Sequence, residues 1–175
     1  MMLTRPANRG VGRFDGHPKV EILPCPPNSS ANYLRARLLE DLPYTTCEGL
    51  HVVTPIGLIG DGASIPPEAQ IAIGFPLSSQ NAAFGFTHDG LYRLGGFQPD
   101  QYEYPFNFVH VTKEQADLYA EDMALCSGHS PETARAIYLA LAQFGGAAWR
   151  ENAAKREACG DLRNIENFTR LLEWA

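Results

Sequence analysis

A histidine, an aspartate and a tyrosine lie close together in the otherwise apolar stretch Phe84-Gly85-Phe86-Thr87-His88-Asp89-Gly90-Leu91-Tyr92. At helical spacing His88 and Tyr92 share a face, and Asp89 points about 100° round the axis toward a different ligand. Two further acids stand out. Asp61 falls in Gly60-Asp61-Gly62-Ala63-Ser64-Ile65-Pro66-Pro67, a tight loop, and Asp117 lines up with Ala120, Met123 and Ala124 on an apolar helix face. A carboxylate on such a face is either paired or costly, and His88 is its expected partner. Asp117 would then accept a hydrogen bond from one ring nitrogen and fix the tautomer, leaving the other nitrogen to take a proton from water. Asp61 and Asp89, with loop carbonyls around Gly62 and water, are hard oxygen donors of the kind Ca²⁺ takes in sets of six to eight. A cation beside a histidine-activated water is a hydrolytic arrangement: the metal polarises an ester carbonyl and stabilises the oxyanion.

Other uses of the same residues are open. One is a buried polar network that fixes helix against loop. Ser64 with His88 and Asp117 has the residue types of a serine triad, though no GxSxG elbow surrounds Ser64. His51 with His88, Asp89 and Asp117 has those of a metal phosphohydrolase, but His51 reads first as a sheet-face residue. Cys47 with His88 would make a thiol hydrolase. His17, His110 and His129 read as isolated surface or loop histidines.

The elements that must position these groups are an α+β set, with a small antiparallel sheet and loops followed by a three-helix core. Residues 1–30 hold eight prolines and glycines between Pro6 and Pro27 and read as an extended arm, with Val20–Leu23 as a short strand inside it. Tyr33–Tyr44 and Gly49–Ile59 are the strand candidates, bent at Pro55 and Gly57. Ser78 or Ser79 can cap the His88 helix. Residues 94–109, rich in glycine, proline and aromatics, read as a long covering loop. Thr112-Lys113-Glu114-Gln115 is a capping box that opens a helix to about Cys126. Ser130-Pro131-Glu132 opens another, expected to run to about Trp149. After a polar stretch, Ile165, Phe168, Leu171 and Leu172 recur at helical spacing in a short helix that must dock to be stable. The chain thus divides into an arm (1–30), a core domain (31–150) and a helical tail (151–175).

Composition narrows the function classes. A net charge of −6 over 175 residues leaves no basic footprint for nucleic acid. No apolar run reaches the ~18 residues of a membrane span, and Met1–Phe14 lacks the apolar core of a secretory signal. The four cysteines are scattered with no CxxC pair, so reduced thiols are expected and one disulfide stays open.

His88-Asp89-Gly90-Leu91-Tyr92 resembles the HDxxY signature of calcium-dependent phospholipases A2, most closely the small bacterial and fungal branch. That branch places an Asp-Gly-Cys-Ser-type loop before the HD helix, where this chain has Asp61-Gly62-Ala63-Ser64. Asp117, Tyr119, Asp122 and Cys126 follow the order of its next helix, and Tyr138 and Phe144-Gly145 that of its third. The resemblance implies His88 as general base, Asp117 orienting it, Tyr92 packing or bonding beside the pair, and Asp61, a carbonyl near Gly62 and Asp89 binding Ca²⁺, with a lipid acyl ester as substrate. The chain departs from that pattern at Ala63, in lacking counterparts of the bracing disulfides, and in the long connection from Asp89 to Asp117. A closer resemblance, carried by Asp61–Pro66, His88–Tyr92, Ala116-Asp117 and Tyr138–Trp149, is to a phage and bacterial domain family of unknown function. It implies a phage or prophage origin, synthesis in the host cytoplasm, and a second class of role, that of a virion or assembly protein with other particle proteins as partners.

Overall fold

In a computed structural model, residues 10–24, 35–61, 74, 77–95, 98–99, 108–109 and 111–174 are described. Gly62 and the remainder of the loop to Pro67, most of 94–109, Cys25 and His110 lie outside the described residues. Among the described residues the architecture is mixed α+β: two small antiparallel sheets, a two-stranded ribbon and five helices.

The first sheet has the order β1 (Arg13–Phe14), β4 (Leu42–Thr45), β5 (His51–Thr54). The second has the order β2 (Val20–Leu23), β3 (Arg35–Leu38), β6 (Ile59–Gly60). Two strands from the expected arm therefore lie on the chain's own body. β1 pairs with β4 through Phe14 opposite Tyr44, and β2 pairs with β3 along its length. The alternation of buried and half-buried residues in β3 and β4 is the period of two expected of strands with one face on a core. Pro55 and Gly57 make the bend between β5 and β6, with Gly57 at φ +89° and its N–H bonded to Leu38 O at 2.9 Å. The expected single sheet is thus two, because the chain crosses between them from β1 to β2, from β3 to β4 and from β5 to β6. Within the covering loop, β7 (Gln98–Pro99) and β8 (Phe108–Val109) pair as a ribbon.

The helices are α1 (Ala82–Leu94), α2 (Lys113–Cys126), α3 (Pro131–Phe144), α4 (Gly146–Cys159) and α5 (Ile165–Glu173). The capping box of Thr112 and Gln115 opens α2, and Ser130 with Pro131 opens α3, as their sequences dictate. Asn81, not a serine, is the cap residue of α1; Ser78 serves the turn before it, its Oγ accepting from Asn81 N–H at 3.3 Å. The expected helix to Trp149 stops at Phe144, and a new one starts at Gly146. Residues 146–159 form a helix of their own instead of a polar connector, which raises the count above the three-helix core. α4 escapes pattern reading because it buries only Cys159, so no apolar stripe marks it.

α1 is the centre of the molecule. Phe84, Leu91 and Tyr92 join one core with Tyr44, Val52, Tyr119 and Met123. Ala83, Phe86 and Leu94 join a second with Leu38, Leu58, Phe168 and Leu171. A helix flanked by two cores is apolar nearly all round, and His88 and Asp89 are its only residues not fully buried. The C-terminal helix docks by Phe168, Leu171 and Leu172, each no more than 4% exposed. Among the described residues no helix is long and apolar enough to cross a membrane.

Candidate functional site

Three segments meet around the His88–Asp89 step. From α1, the His88 and Tyr92 rings pack with centroids 4.3 Å apart. From α2, Asp117 is 2% exposed and takes two donors. The Tyr92 hydroxyl donates to Oδ1 at 2.5 Å, and Lys113 Nζ, one turn earlier on α2, donates to Oδ2 at 2.5 Å. Lys113 also donates to Leu141 O at 3.1 Å, tying the end of α3 to the cluster. The expected hydrogen bond from His88 to Asp117 is therefore replaced by one from Tyr92, and the ion pair is with Lys113. His88 Nε2 is enclosed and has no hydrogen-bond partner among the described residues. Asp117 is linked to His88 through Tyr92, which bonds the one and packs on the other.

Electrostatics follow from this packing. Burial, with the nearby Lys113 charge adding to it, pulls His88 down to about 3, so the imidazole is neutral at physiological pH. Burial and the bond to Asp117 push the Tyr92 hydroxyl well above its ordinary range.

On the other side of α1, Asp89 lies against the end of β6. The Asp61 N–H donates to its carboxylate. A side chain at Gly60 would have its Cβ 2.5 Å from Asp89 Oδ2, so only glycine admits the carboxylate there. Burial, with the Asp61 charge adding to it, holds Asp89 well above the usual carboxylate range, opposed by Arg93 and the Asp61 N–H. Asp61 and Asp89, the two acids expected to bind a cation, are thus brought together. Gly62, the third expected ligand, is outside the described residues. Among the described residues no group of three or more His, Cys, Asp and Glu is arranged to hold a metal. The donor set in view is two hard carboxylates, which fit Ca²⁺ in type; its other oxygens would be carbonyls and water.

The supporting shell comes from the helix pattern reading missed. Trp149 of α4 packs edge-on to Tyr92 at 5.2 Å. Arg156 of α4 donates to Tyr92 O at 2.9 Å and Arg93 O at 3.1 Å, satisfying the last carbonyls of α1. At the α3–α4 corner, a Cβ at Gly145 would collide with the Tyr92 hydroxyl. Gly145→Ala is accordingly expected to displace Tyr92 from Asp117 and lower stability by about 1–3 kcal/mol, measured as a shift of the urea midpoint. An unchanged midpoint would show that the corner yields freely.

The other sequence candidates are placed elsewhere. His51 is a sheet-face residue whose Nδ1 lies 2.8 Å from Thr45 Oγ1. His17 is exposed. His129 is not a surface residue: it is buried, its Nε2 2.6 Å from Asn81 Oδ1, and it locks the α2–α3 turn to the start of α1. Asp122, like Asp117 and Glu121, is a buried acid of α2. It accepts from Tyr44 Oη at 2.6 Å and Gly12 N–H at 3.0 Å, anchoring the N-terminal segment. Ser64 lies outside the described residues, and Cys47 is half-buried. Lys113 and Arg93 were legible as i, i+4 partners of Asp117 and Asp89, the one signal that would have found them.

Comparison with family models, with curated proteins and with solved structures gives no match.

Proposed function

We propose that the His88–Asp89 step is a calcium-dependent ester-hydrolase site of phospholipase A2 type, acting on a lipid acyl ester. The observation that carries this reading is the meeting of Asp89 with Asp61 one residue from an imidazole whose Nε2 has no partner among the described residues. A purely architectural network satisfies its polar atoms. Here two carboxylates repel each other on one side of α1 while a ring nitrogen on the other has no partner among the described residues, and a cation on the acids with a water at Nε2 relieves both. Asp61 and Asp89 would hold the ion, which when bound supplies a positive charge against the developing oxyanion. His88 takes the proton of the attacking water at Nε2 and returns it to the alkoxide that leaves when the acyl–oxygen bond breaks. Tyr92 holds the ring by its face, and Asp117 acts on His88 through Tyr92. Because His88 is pulled so low, an acid limb near pH 6.5 is not expected. Protonation of Asp89 at its raised value removes a ligand first, so calcium affinity should fall as pH drops through that range.

Calorimetric titration with CaCl₂ tests the cation site. One site is expected at neutral pH, weakened at least about tenfold by Asp61→Asn and by Asp89→Asn and untouched by Asp15→Asn. Absence of heat in the wild type would end the proposal.

A second reading, a non-enzymatic phage virion or assembly protein on the same scaffold, draws on two observations. Lys113 already neutralises Asp117. Phe144, 71% exposed, and Ile165, 61% exposed, offer apolar surface to neighbours. Mass spectrometry of purified virions separates it from the first: the chain is expected among the particle proteins, and its absence from particles sinks this reading.

A further inference from the structure

Arg93 is buried on α1, one turn after Asp89. Its Nη2 donates to Ile59 O at 3.3 Å, on the strand that runs into Asp61. Its Nη1 donates to Leu171 O at 3.3 Å, Leu172 O at 3.4 Å and Trp174 O, all at the closing turn of α5. Nε is enclosed without an acceptor among the described residues. Asp89 and Asp61 attract the guanidinium from one side, with Glu151 adding to them and Arg35 opposing. The last carbonyls of α5 attract it from the other, since they carry the negative end of its dipole; of the three, Leu171 O also accepts from the Trp174 N–H at 3.3 Å. One side chain thus answers two demands that draw on the same positive charge.

We infer that Arg93 couples cation binding at Asp61 and Asp89 to the docking of the C-terminal helix; this rests on the reading of that acid pair as a cation site. A divalent ion on the two carboxylates cancels their pull on the guanidinium, whose charge is then left to the α5 carbonyls while its fork still bonds Ile59 O, and the closing turn tightens. By reciprocity, whatever loosens that turn weakens the ion. Arginine is needed because its planar fork reaches β6 and α5 at once. A lysine keeps the charge but presents a single compact donor head.

Calcium titration by calorimetry, paired with amide hydrogen exchange over residues 165–174, tests this on the full chain. At saturating CaCl₂ the amides of the last α5 turn are expected to exchange about fivefold more slowly or better, the low end of ordinary coupling. In Arg93→Lys the binding heat should remain and the slowing should vanish. Heat of binding with unchanged α5 exchange in the wild type would overturn the coupling and leave the cation site standing, as would equal slowing in Arg93→Lys. No heat in the wild type would bring down the cation site and the coupling with it. The wild-type comparison decides the matter even where Arg93→Lys does not fold.

Discussion

Asp117→Ala is expected to destabilise the protein by about 3 kcal/mol, at the lower end of the loss when one partner of a buried ion pair is removed. For a chain of this size that is a fall in Tm of roughly 6–12 °C. The carboxylate is 2% exposed and holds both Lys113 Nζ and Tyr92 Oη at 2.5 Å. Without it an ammonium and a phenol are left facing each other in a closed space. The Lys113 side chain, 16% exposed, recovers part of its hydration by turning outward, which is why the lower figure applies. Asp117→Asn keeps an acceptor for Tyr92 and should lose less. Thermal unfolding followed by far-UV circular dichroism reads both, and a loss under about 1 kcal/mol for Asp117→Ala would show that the pair is solvated like a surface bridge.

His88 should make the protein acid-sensitive. The unfolded chain takes up this proton near pH 6.5, whereas the folded chain holds the imidazole neutral down to about 3. The unfolded state therefore binds more protons between those values. Stability is full above 6.5 and is lost as pH falls toward 3, with a slope of up to about 1.4 kcal/mol per pH unit, or about 3 kcal/mol at pH 4. Asp89 works in the opposite direction. Its folded value is raised, so its protonated form favours the fold as pH drops, and wild-type data alone would mix the two. The difference between wild type and His88→Gln isolates the histidine, because Asp89 is common to both. Urea unfolding at pH 7, 6, 5 and 4 should give a shallower acid slope for the variant. Parallel slopes would mean that the ring is accessible to protons in the folded state.

Local rules were enough for the elements whose signals are local. The Thr112–Gln115 box, the Ser130-Pro131 start and the Pro55–Gly57 bend all formed where residue chemistry places them. α4 was hidden because its role is polar and specific: Arg156 covers the last carbonyls of α1 and Trp149 backs Tyr92, and neither task leaves a periodic stripe. The burial of Asp117 was readable from its apolar face and Lys113 from its i, i+4 spacing, but the bond from Tyr92 was not. A lysine, a phenol and a neutral imidazole are near one carboxylate; Lys113, nearest in sequence, and Tyr92 take its two oxygens, and His88 takes neither. The approach of Asp89 to Asp61 required the crossover of β6 beside α1, a tertiary arrangement signalled only by the glycine at position 60. His129 looked like a loop residue because the loop itself is folded inward onto Asn81.

Fatty-acid release from phospholipid mixed micelles, measured with CaCl₂ and again with chelator, tests the proposed hydrolase most directly. Release is expected only with calcium, reduced at least about a hundredfold in His88→Gln, whose far-UV spectrum should match the wild type at neutral pH. Equal release by His88→Gln, or none by a wild-type protein that binds calcium, would contradict the assignment of His88 as the base.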